Sequence, residues 1–243
     1  MTAQGGYADV NGLHMYYELH GQGTPLVLLH GGMLTIDLNF AGLIPTLSAK
    51  HQIIGVEMQG HGRTNDITRP ITPAVLADDV VLLLDHLGID RAHVLGHSLG
   101  AAVALELAVS HPARVRSVVP ISASVRADGM PEDLTDPPTE HDYADFRDAY
   151  LQLSPHPDHY DEFFAALASS AADLKGWSDE QLAAITAPTL IVQGDHDFVT
   201  VEHAALMQHL IPGSMLAVLP NTTHMQITRR ADLLLPMLAD FLD

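Results

Sequence analysis

The 243-residue chain has no cysteine and only two lysines, Lys50 and Lys175. The lack of cysteine excludes disulfide frameworks, thiolate metal sites and cysteine nucleophiles. Thirty acidic side chains stand against 11 basic ones, so the formal net charge is −19. An acidic excess of this size disfavours a broad phosphate-binding surface. We therefore expect no nucleic-acid partner and no binding to an anionic membrane surface.

Long hydrophobic runs and a targeting segment are also lacking. No uninterrupted apolar stretch approaches the roughly 20 residues of a membrane span. The N-terminus has neither the positive start nor the apolar core of a secretory signal. The sequence thus predicts a soluble, cytoplasmic protein. Its length is enough to bury most of its apolar surface without disulfides or a structural metal.

Short β-rich runs alternate with longer helical patterns over most of the chain, which is typical of a mostly parallel sheet flanked by helices. The beginning differs, because Asn11-Gly12 between two strand-like runs predicts an antiparallel hairpin over residues 7–20. Further strands are predicted at residues 26–29, 53–56, 93–96, 115–121, 189–193 and 215–219. Helices are predicted at about residues 38–50, 72–87, 99–110, 201–210 and 229–242.

The alternation stops between residues 122 and 177, where amphipathic pieces occur at 143–153 and 160–174. We interpret residues 122–177 as a helical cap insertion on a core domain formed by residues 1–121 and 178–243. Its aromatic residues suggest a partly apolar pocket, although most of them are expected to pack the cap onto the sheet domain. These residues are Tyr143, Phe146, Tyr150, Phe163, Phe164 and Trp177.

The segment Gly96-His97-Ser98-Leu99-Gly100 runs from a predicted strand directly into a predicted helix. A serine at such a sharp turn is held in a strained backbone conformation that exposes its hydroxyl, and the flanking glycines leave room for the strand and helix. A bare Gly-x-Ser-x-Gly match is common by chance. Its place between a strand and a helix makes Ser98 a candidate nucleophile.

A serine nucleophile needs a general base, and the base needs a carboxylate that fixes its tautomer. Asp195 and Asp197 both follow the predicted strand at 189–193, at the edge where ligands of open α/β sheets bind. His224 follows the last predicted strand. The residues alone leave the choice between the two aspartates open.

With Ser98, Asp197 and His224 in this order, the chain resembles the α/β-hydrolase superfamily. The resemblance covers nearly the whole chain, because the hairpin, the His30-Gly31-Gly32 turn, the Gly60-His61-Gly62 turn and the cap insertion fall where that family has them. It implies an α/β-hydrolase fold and a serine esterase-like enzyme with these three residues as its catalytic triad.

The resemblance also implies roles for individual residues. Asp197, three residues after a glycine, takes the acid position, and Asp195 is then a turn residue that accepts local backbone donors. The oxyanion hole consists of two backbone N–H groups, those of Leu99 and Gly32.

Other residues of these motifs have competing interpretations. Met33, His97 and Met225 are candidate substrate-binding residues, but packing or structural roles explain them at least as well. His30 and His61, in glycine-flanked turns, are expected to hold loops in place by hydrogen bonds.

Two further signals are weaker. Arg63 is expected to fix a loop rather than bind a substrate carboxylate. His156 and His159 could ligate a metal, but neither a helix spacing nor a further ligand supports this, and we expect no metal site.

The sequence therefore predicts a cofactor-free hydrolase that cleaves a small to medium carboxylic ester through an acyl-enzyme intermediate. Its expected partner is the small-molecule ester, and the oligomeric state is left open. A lactonase, a thioesterase, an amidase or a C–C bond hydrolase would use the same triad. A non-catalytic ligand-binding receptor is the alternative from another class. Serine at position 98 disfavours chemistry through an aspartate nucleophile.

Overall fold

The computed structural model describes residues 4–129, 138–172 and 176–243. Residues 130–137 and 173–175 of the predicted cap insertion lie outside the described residues. Within the described ranges, eight strands form a single sheet. In chain order they are β1 (Gln4–Val10), β2 (Leu13–His20), β3 (Thr24–Leu29), β4 (His51–Val56), β5 (Ala92–His97), β6 (Val115–Ile121), β7 (Leu190–Gly194) and β8 (Met215–Leu219).

The sheet has the spatial order β1-β2-β4-β3-β5-β6-β7-β8. The first strands form the predicted hairpin, in which Asn11 (φ 50°) and Gly12 (φ 84°) make a two-residue turn with positive φ. β2 is also antiparallel to β4, and all later neighbours pair in parallel. The predicted fold class, a mostly parallel sheet with an N-terminal hairpin and flanking helices, is confirmed.

Nine α-helices occur within the described residues, and none of them is both long and apolar enough to cross a bilayer. They are α1 (Ile36–Phe40), α2 (Ile44–Leu47), α3 (Pro73–His86), α4 (Leu99–Ser110), α5 (Glu140–Leu153), α6 (Tyr160–Ala172), α7 (Asp179–Ala183), α8 (Val201–Leu210) and α9 (Ala231–Leu242).

One helix prediction is corrected, and one helix has no prediction. The single helix expected at about 38–50 is two short helices, because Pro45 in the first turn of α2 begins a new helix. Helix α7 was not predicted, since five residues are too short to show an apolar period. A local signal for it exists, because Ser178 and Gln181 form a reciprocal capping box at its start.

Strand β3 lies at the centre of the sheet and is buried on both faces. Leu26 and Leu28 pack into a cluster with α1, α2 and α9, whereas Val27 and Leu29 pack into a second cluster with α3 and α4. A strand covered on both faces reads as a continuous apolar run, as this one does. Because β3 to β8 run parallel, their carboxyl ends meet at one edge of the sheet, and helices cover both of its faces.

Pairing between β6 and β7 is sparser than pairing between β7 and β8. A single residue pair, Ile121 with Val192, and an isolated bridge from Val118 to Thr189 join β6 to β7. β7 and β8 are joined by five consecutive pairs. The backbone ladder between β6 and β7 is thus the shortest among the parallel pairs, while β7 side chains pack into both core clusters.

Candidate active site

The turn between β5 and α4 carries Ser98. Strand β5 ends at His97 and α4 begins at Leu99, so Ser98 makes the turn alone, with φ 54° and ψ −115°. A non-glycine residue in such a region is strained by about 1–3 kcal/mol. Its N–H donates to the carbonyl of Ile121 at 2.9 Å. The strand–turn–helix context expected for the Gly-x-Ser-x-Gly segment is present.

Two glycines allow the helix to approach the sheet at this turn. A Cβ atom added at Gly96 would collide with the backbone of Gly100, and one added at Gly100 would collide with the carbonyl of Leu29. A larger residue at either position would therefore push α4 away from β3 and β5.

Asp197 and His224 form a buried hydrogen-bonded pair in the loops after β7 and β8. Nδ1 of His224 lies 2.8 Å from Oδ1 of Asp197. The N–H of Val199 donates to the same oxygen at 3.0 Å. Burial alone would raise the pKa of Asp197, but hydrogen bonds from His224, Ser122 and Val199 and the charge of His224 lower it below its ordinary value. The carboxylate is therefore ionised at neutral pH.

Ser122, the residue after β6, is a functional candidate that the sequence analysis missed. Its hydroxyl donates to Oδ2 of Asp197 at 2.5 Å, and its N–H donates to the carbonyl of Val192 at 2.9 Å. Its φ of 53° lies in the left-handed region. The available signal was its position at the carboxyl end of a parallel strand, where functional groups of such sheets converge.

Ser122→Gly is expected to be more stable than Ser122→Ala. Both variants lose the hydrogen bond to the Asp197 carboxylate, worth about 1.5–3 kcal/mol. The left-handed backbone costs alanine about 1–2 kcal/mol, and glycine relieves this strain. The greater conformational freedom of glycine in the unfolded chain offsets about 0.5–1 kcal/mol of that advantage. Urea unfolding should rank wild type above Ser122→Gly and Ser122→Gly above Ser122→Ala. The reverse order of the two variants would contradict the backbone argument.

Asp195 has different contacts. Its exposed carboxylate accepts the N–H of Thr222 at 3.0 Å. The N–H groups of Thr222 and Asn221 lower the pKa of Asp195. In the described residues it forms no hydrogen bond with His224. Asp195 is thus a turn residue that satisfies local donors, as expected.

A cavity of about 390 Å³ lies beside Ser98. Its base is formed by the turn after β3, the start of α4 and the loops after β6, β7 and β8. Helices α5 and α6, in the predicted cap, contribute an opposite wall that is mainly apolar. The residues on the cap side are Pro138, Tyr143, Phe146, Phe164, Leu167, Ala168 and Ser170.

Six of the eight predicted site residues line this cavity: Gly32, Met33, Ser98, Leu99, His224 and Met225. Asp197 lies behind His224. The ring of His97 is buried away from the cavity wall, where it contacts Asn39 and the carbonyl of His224 instead. Among the hydrogen bonds of the described residues, none joins the Ser98 hydroxyl to the His224 ring.

Phe198 determines the ring plane of His224. The two rings are stacked, with centroids 3.7 Å apart and an angle of 24° between their planes. The hydrogen bond to Asp197 fixes the rotation of the imidazole within that plane. Together these contacts hold His224 in one orientation at the cavity wall.

The aromatic residues of the predicted cap divide into two groups. Three of them line the cavity: Tyr143, Phe146 and Phe164. The other three are buried in the large core cluster: Tyr150, Phe163 and Trp177. Packing therefore explains half of the set, and half contributes to the pocket.

The histidines of the two glycine-flanked turns hold loops in place. Nδ1 of His30 lies 2.8 Å from the carbonyl of Gly31, and its Nε2 accepts the N–H of Met58 at 3.2 Å. Nδ1 of His61 lies 2.9 Å from the carbonyl of Gln59. Burial lowers the pKa of both rings, that of His61 to about 4. Both are neutral, as a structural role requires.

Arg63 fixes the loop of the Gly60-His61-Gly62 turn through its bonds to the Glu57 side chain. Its guanidinium lies 2.8 Å from Oε1 of Glu57, and its own N–H donates to Oε2 at 2.6 Å. The Glu57 side chain is completely buried. Burial raises the pKa of Glu57 to about 7, although the N–H and the charge of Arg63 act in the opposite direction. Arg63 is therefore a loop-fixing residue, as expected.

Glu57→Gln is expected to stabilise the protein relative to wild type increasingly as the pH rises from 5 to 7. The pKa of Glu57 rises from 4.5 to about 7 on folding. Between these pH values Glu57 holds a proton in the native state that the unfolded chain releases, so the contribution of Glu57 to the free energy of unfolding falls as the pH rises, by up to about 3 kcal/mol. Glutamine carries no such proton. Urea unfolding at pH 5, 6 and 7 should show the free energy of unfolding of the variant increasing relative to that of wild type as the pH rises, since the buried histidines act alike in both proteins. A difference that does not change with pH would refute the assignment.

The model of the family described as the alpha/beta hydrolase fold matches residues 24–161, more than half of the chain. The chain belongs to the alpha/beta hydrolase fold family. Among solved structures, the enol-lactonase from Burkholderia xenovorans LB400 is similar to this alpha/beta hydrolase with a TM-score of 0.80 and 23% identity, covering 98% of this chain and 99% of that one. At 23% identity this similarity shows a shared fold only.

Two curated relatives extend the comparison. A protein of Azorhizobium caulinodans named for carbamate hydrolysis is 39% identical over 128 residues, which are 53% of this chain and 46% of the relative. The alignment thus spans less than half of that relative's length. A Pseudomonas putida protein named as a 2-hydroxy-6-oxononadienedioate/2-hydroxy-6-oxononatrienedioate hydrolase is 28% identical and covers 95% of this chain and 92% of its own.

Proposed function

We propose that this alpha/beta hydrolase is a serine hydrolase that cleaves small to medium, uncharged carboxylic esters. The observation that carries the proposal is the His224–Asp197 hydrogen bond at the wall of a cavity that the strained Ser98 also lines. The two curated relatives, both named as hydrolases, support hydrolytic chemistry.

The tautomer of His224 suits a general base. When Nδ1–H donates to the Asp197 carboxylate, the lone pair of the neutral ring is on Nε2. His224 then removes the proton of Ser98 as the serine oxygen bonds to the ester carbonyl carbon, and it gives that proton to the departing alkoxide. Water repeats these steps on the acyl-enzyme, which releases the acid and restores the serine hydroxyl.

Backbone N–H groups would stabilise the negative oxygen that forms on attack. The N–H of Gly31 is engaged by Asn39 and that of Leu34 by the carbonyl of Gly31. No hydrogen bond of the described residues engages the N–H of Gly32 or Leu99, and both residues line the cavity. Each donor of this kind typically lowers the barrier by about 2.7–4 kcal/mol.

The cavity wall favours an uncharged substrate. None of its described lining residues is a lysine or an arginine, and the chain carries a net charge of −19. A dienedioate, the compound in the name of the P. putida relative, carries two carboxylates that would need cationic partners when buried. Helices α5 and α6, as the cap, would instead enclose an apolar acyl chain.

Turnover of p-nitrophenyl esters of rising acyl length tests this proposal. We expect hydrolysis of neutral short to medium esters, and kcat/KM at least about tenfold lower for a succinate monoester than for the butyrate of similar length, because its carboxylate is desolvated without a partner. A fluorophosphonate probe should label Ser98. No turnover and no labelling would overturn the proposal, and preference for the charged ester would overturn its substrate class.

A further inference from the structure

Three separate loops carry the groups of the proposed mechanism. Gly32 lies in the turn after β3, Ser98 in the turn between β5 and α4, and His224 in the loop after β8. Small displacements between such groups are costly, since a shift of about 1 Å lowers turnover about 100-fold. Two buried polar side chains, Asn39 of α1 and His97 at the end of β5, contact all three loops without lining the cavity.

Asn39 joins the turn after β3 to the loop after β8. Its Oδ1 accepts the N–H of Gly31, the neighbour of Gly32, at 2.7 Å. Its Nδ2 donates to the hydroxyl of Thr228 at 3.0 Å, four residues beyond His224. The amide orientation is fixed, because a flipped amide would set its NH₂ against the N–H of Gly31.

His97 completes the connection from the serine turn. Its Nδ1 lies 3.2 Å from Oδ1 of Asn39, and its Nε2 lies 3.1 Å from the carbonyl of His224. Burial and the nearby His224 lower the pKa of His97 to about 3, so the ring is neutral and its single N–H donates to one of these two oxygens, while the other contact is packing. The backbone of His97 continues directly into Ser98.

Space around this pair is tight. A Cβ atom added at Gly31 would lie 3.0 Å from Nδ1 of His97. The ring centroids of His97 and His224 are 4.9 Å apart. A substitution of Asn39 or His97 therefore shifts the surrounding loops, because the packing is too tight to accommodate the change locally.

We propose that Asn39 and His97 are positioning residues that act as one unit and hold the three loops at their catalytic separation. The inference rests on the proposed function of Ser98 and His224. Because neither side chain lines the cavity, the unit acts on the placement of the reacting groups and not on substrate affinity.

Asn39→Leu and His97→Leu test this role with side chains of similar size that form no hydrogen bonds. We expect kcat on a neutral aryl ester to fall about 100-fold in each, with KM within about threefold of wild type. Asn39→Asp keeps acceptors for Gly31 and His97 and should stay within about tenfold of wild type.

His93→Leu is the matched control. His93 lies on the same strand as His97, and its Nδ1 contacts the Ser117 hydroxyl at 2.7 Å at the opposite end of β5. We expect kcat within about twofold of wild type. Thermal unfolding of every variant identifies those that fold. If Asn39→Leu does not fold, His97→Leu and Asn39→Asp carry the test.

A double variant tests whether the pair is one unit. Asn39→Leu combined with His97→Leu should lose no more than about tenfold over either single variant, whereas independent residues would multiply their losses. Ser98→Ala must first be inactive, which supports the proposed function. The positioning role is then overturned if either single leucine variant keeps its kcat unchanged or shows only a raised KM. Activity of Ser98→Ala overturns the proposed function itself.

Discussion

Ser98→Ala is expected to lower kcat on a short-chain aryl ester by about 10⁶-fold, the loss typical of removing the nucleophile from a serine, histidine and aspartate set. Alanine retains the cavity wall and the N–H groups of Gly32 and Leu99, so KM should change little. Steady-state hydrolysis measures kcat and KM, and labelling by a fluorophosphonate tests for the loss of the nucleophile. The variant should also show no covalent adduct by mass spectrometry.

Ser110→Ala provides the control for this experiment. Ser110 is the last residue of α4, the helix that Ser98 precedes, and its exposed hydroxyl donates to Glu106. We expect this variant to retain wild-type turnover and labelling. If Ser98→Ala folds and keeps activity near that of Ser110→Ala, the serine mechanism is wrong.

Asp197→Asn should lower kcat by about 10⁴-fold, the second largest loss we expect. An amide at this position presents an NH₂ group or a neutral carbonyl to His224, which favours the wrong imidazole tautomer and no longer stabilises the imidazolium. The same loss would be expected at every pH at which Asp197 is ionised in the wild type. Steady-state kinetics of the purified variant measures it.

Asp195→Asn is the matched comparison, because it makes the same substitution two residues earlier. The Asp195 carboxylate accepts the N–H of Thr222 and is exposed. An asparagine carbonyl can accept the same bond, so turnover should stay within about threefold of wild type. A large loss in Asp195→Asn with a small one in Asp197→Asn would reverse the assignment of the acid.

Local signals predicted the elements that hold the site. Asn11-Gly12 specifies a tight hairpin, and Thr72 caps α3 by accepting the N–H of Val75 just before Pro73. Helix α4 begins directly after Ser98, where the glycine-flanked motif placed it. Each of these features depends on residues that are close together in the sequence, so that one sequence suffices to find them.

The contacts behind the site could not be predicted in the same way. Ser122 meets Asp197 across 75 residues, and Asn39 meets Thr228 across 189. Serine and asparagine have many roles in loops and helices, and no spacing rule marks those that face a distant carboxylate or loop. Such contacts follow from the strand order, which the alternation of elements does not determine.

The short backbone ladder between β6 and β7 has a consequence for how the molecule would lose activity. Asp197 and His224 lie in the loops after β7 and β8, whereas Ser98 and the N–H groups of Gly32 and Leu99 lie on the other side of that ladder. Partial opening there would break the bond from Ser122 to Asp197 and withdraw the acid and base together, with their mutual bond intact. Loss of turnover would then precede loss of the fold.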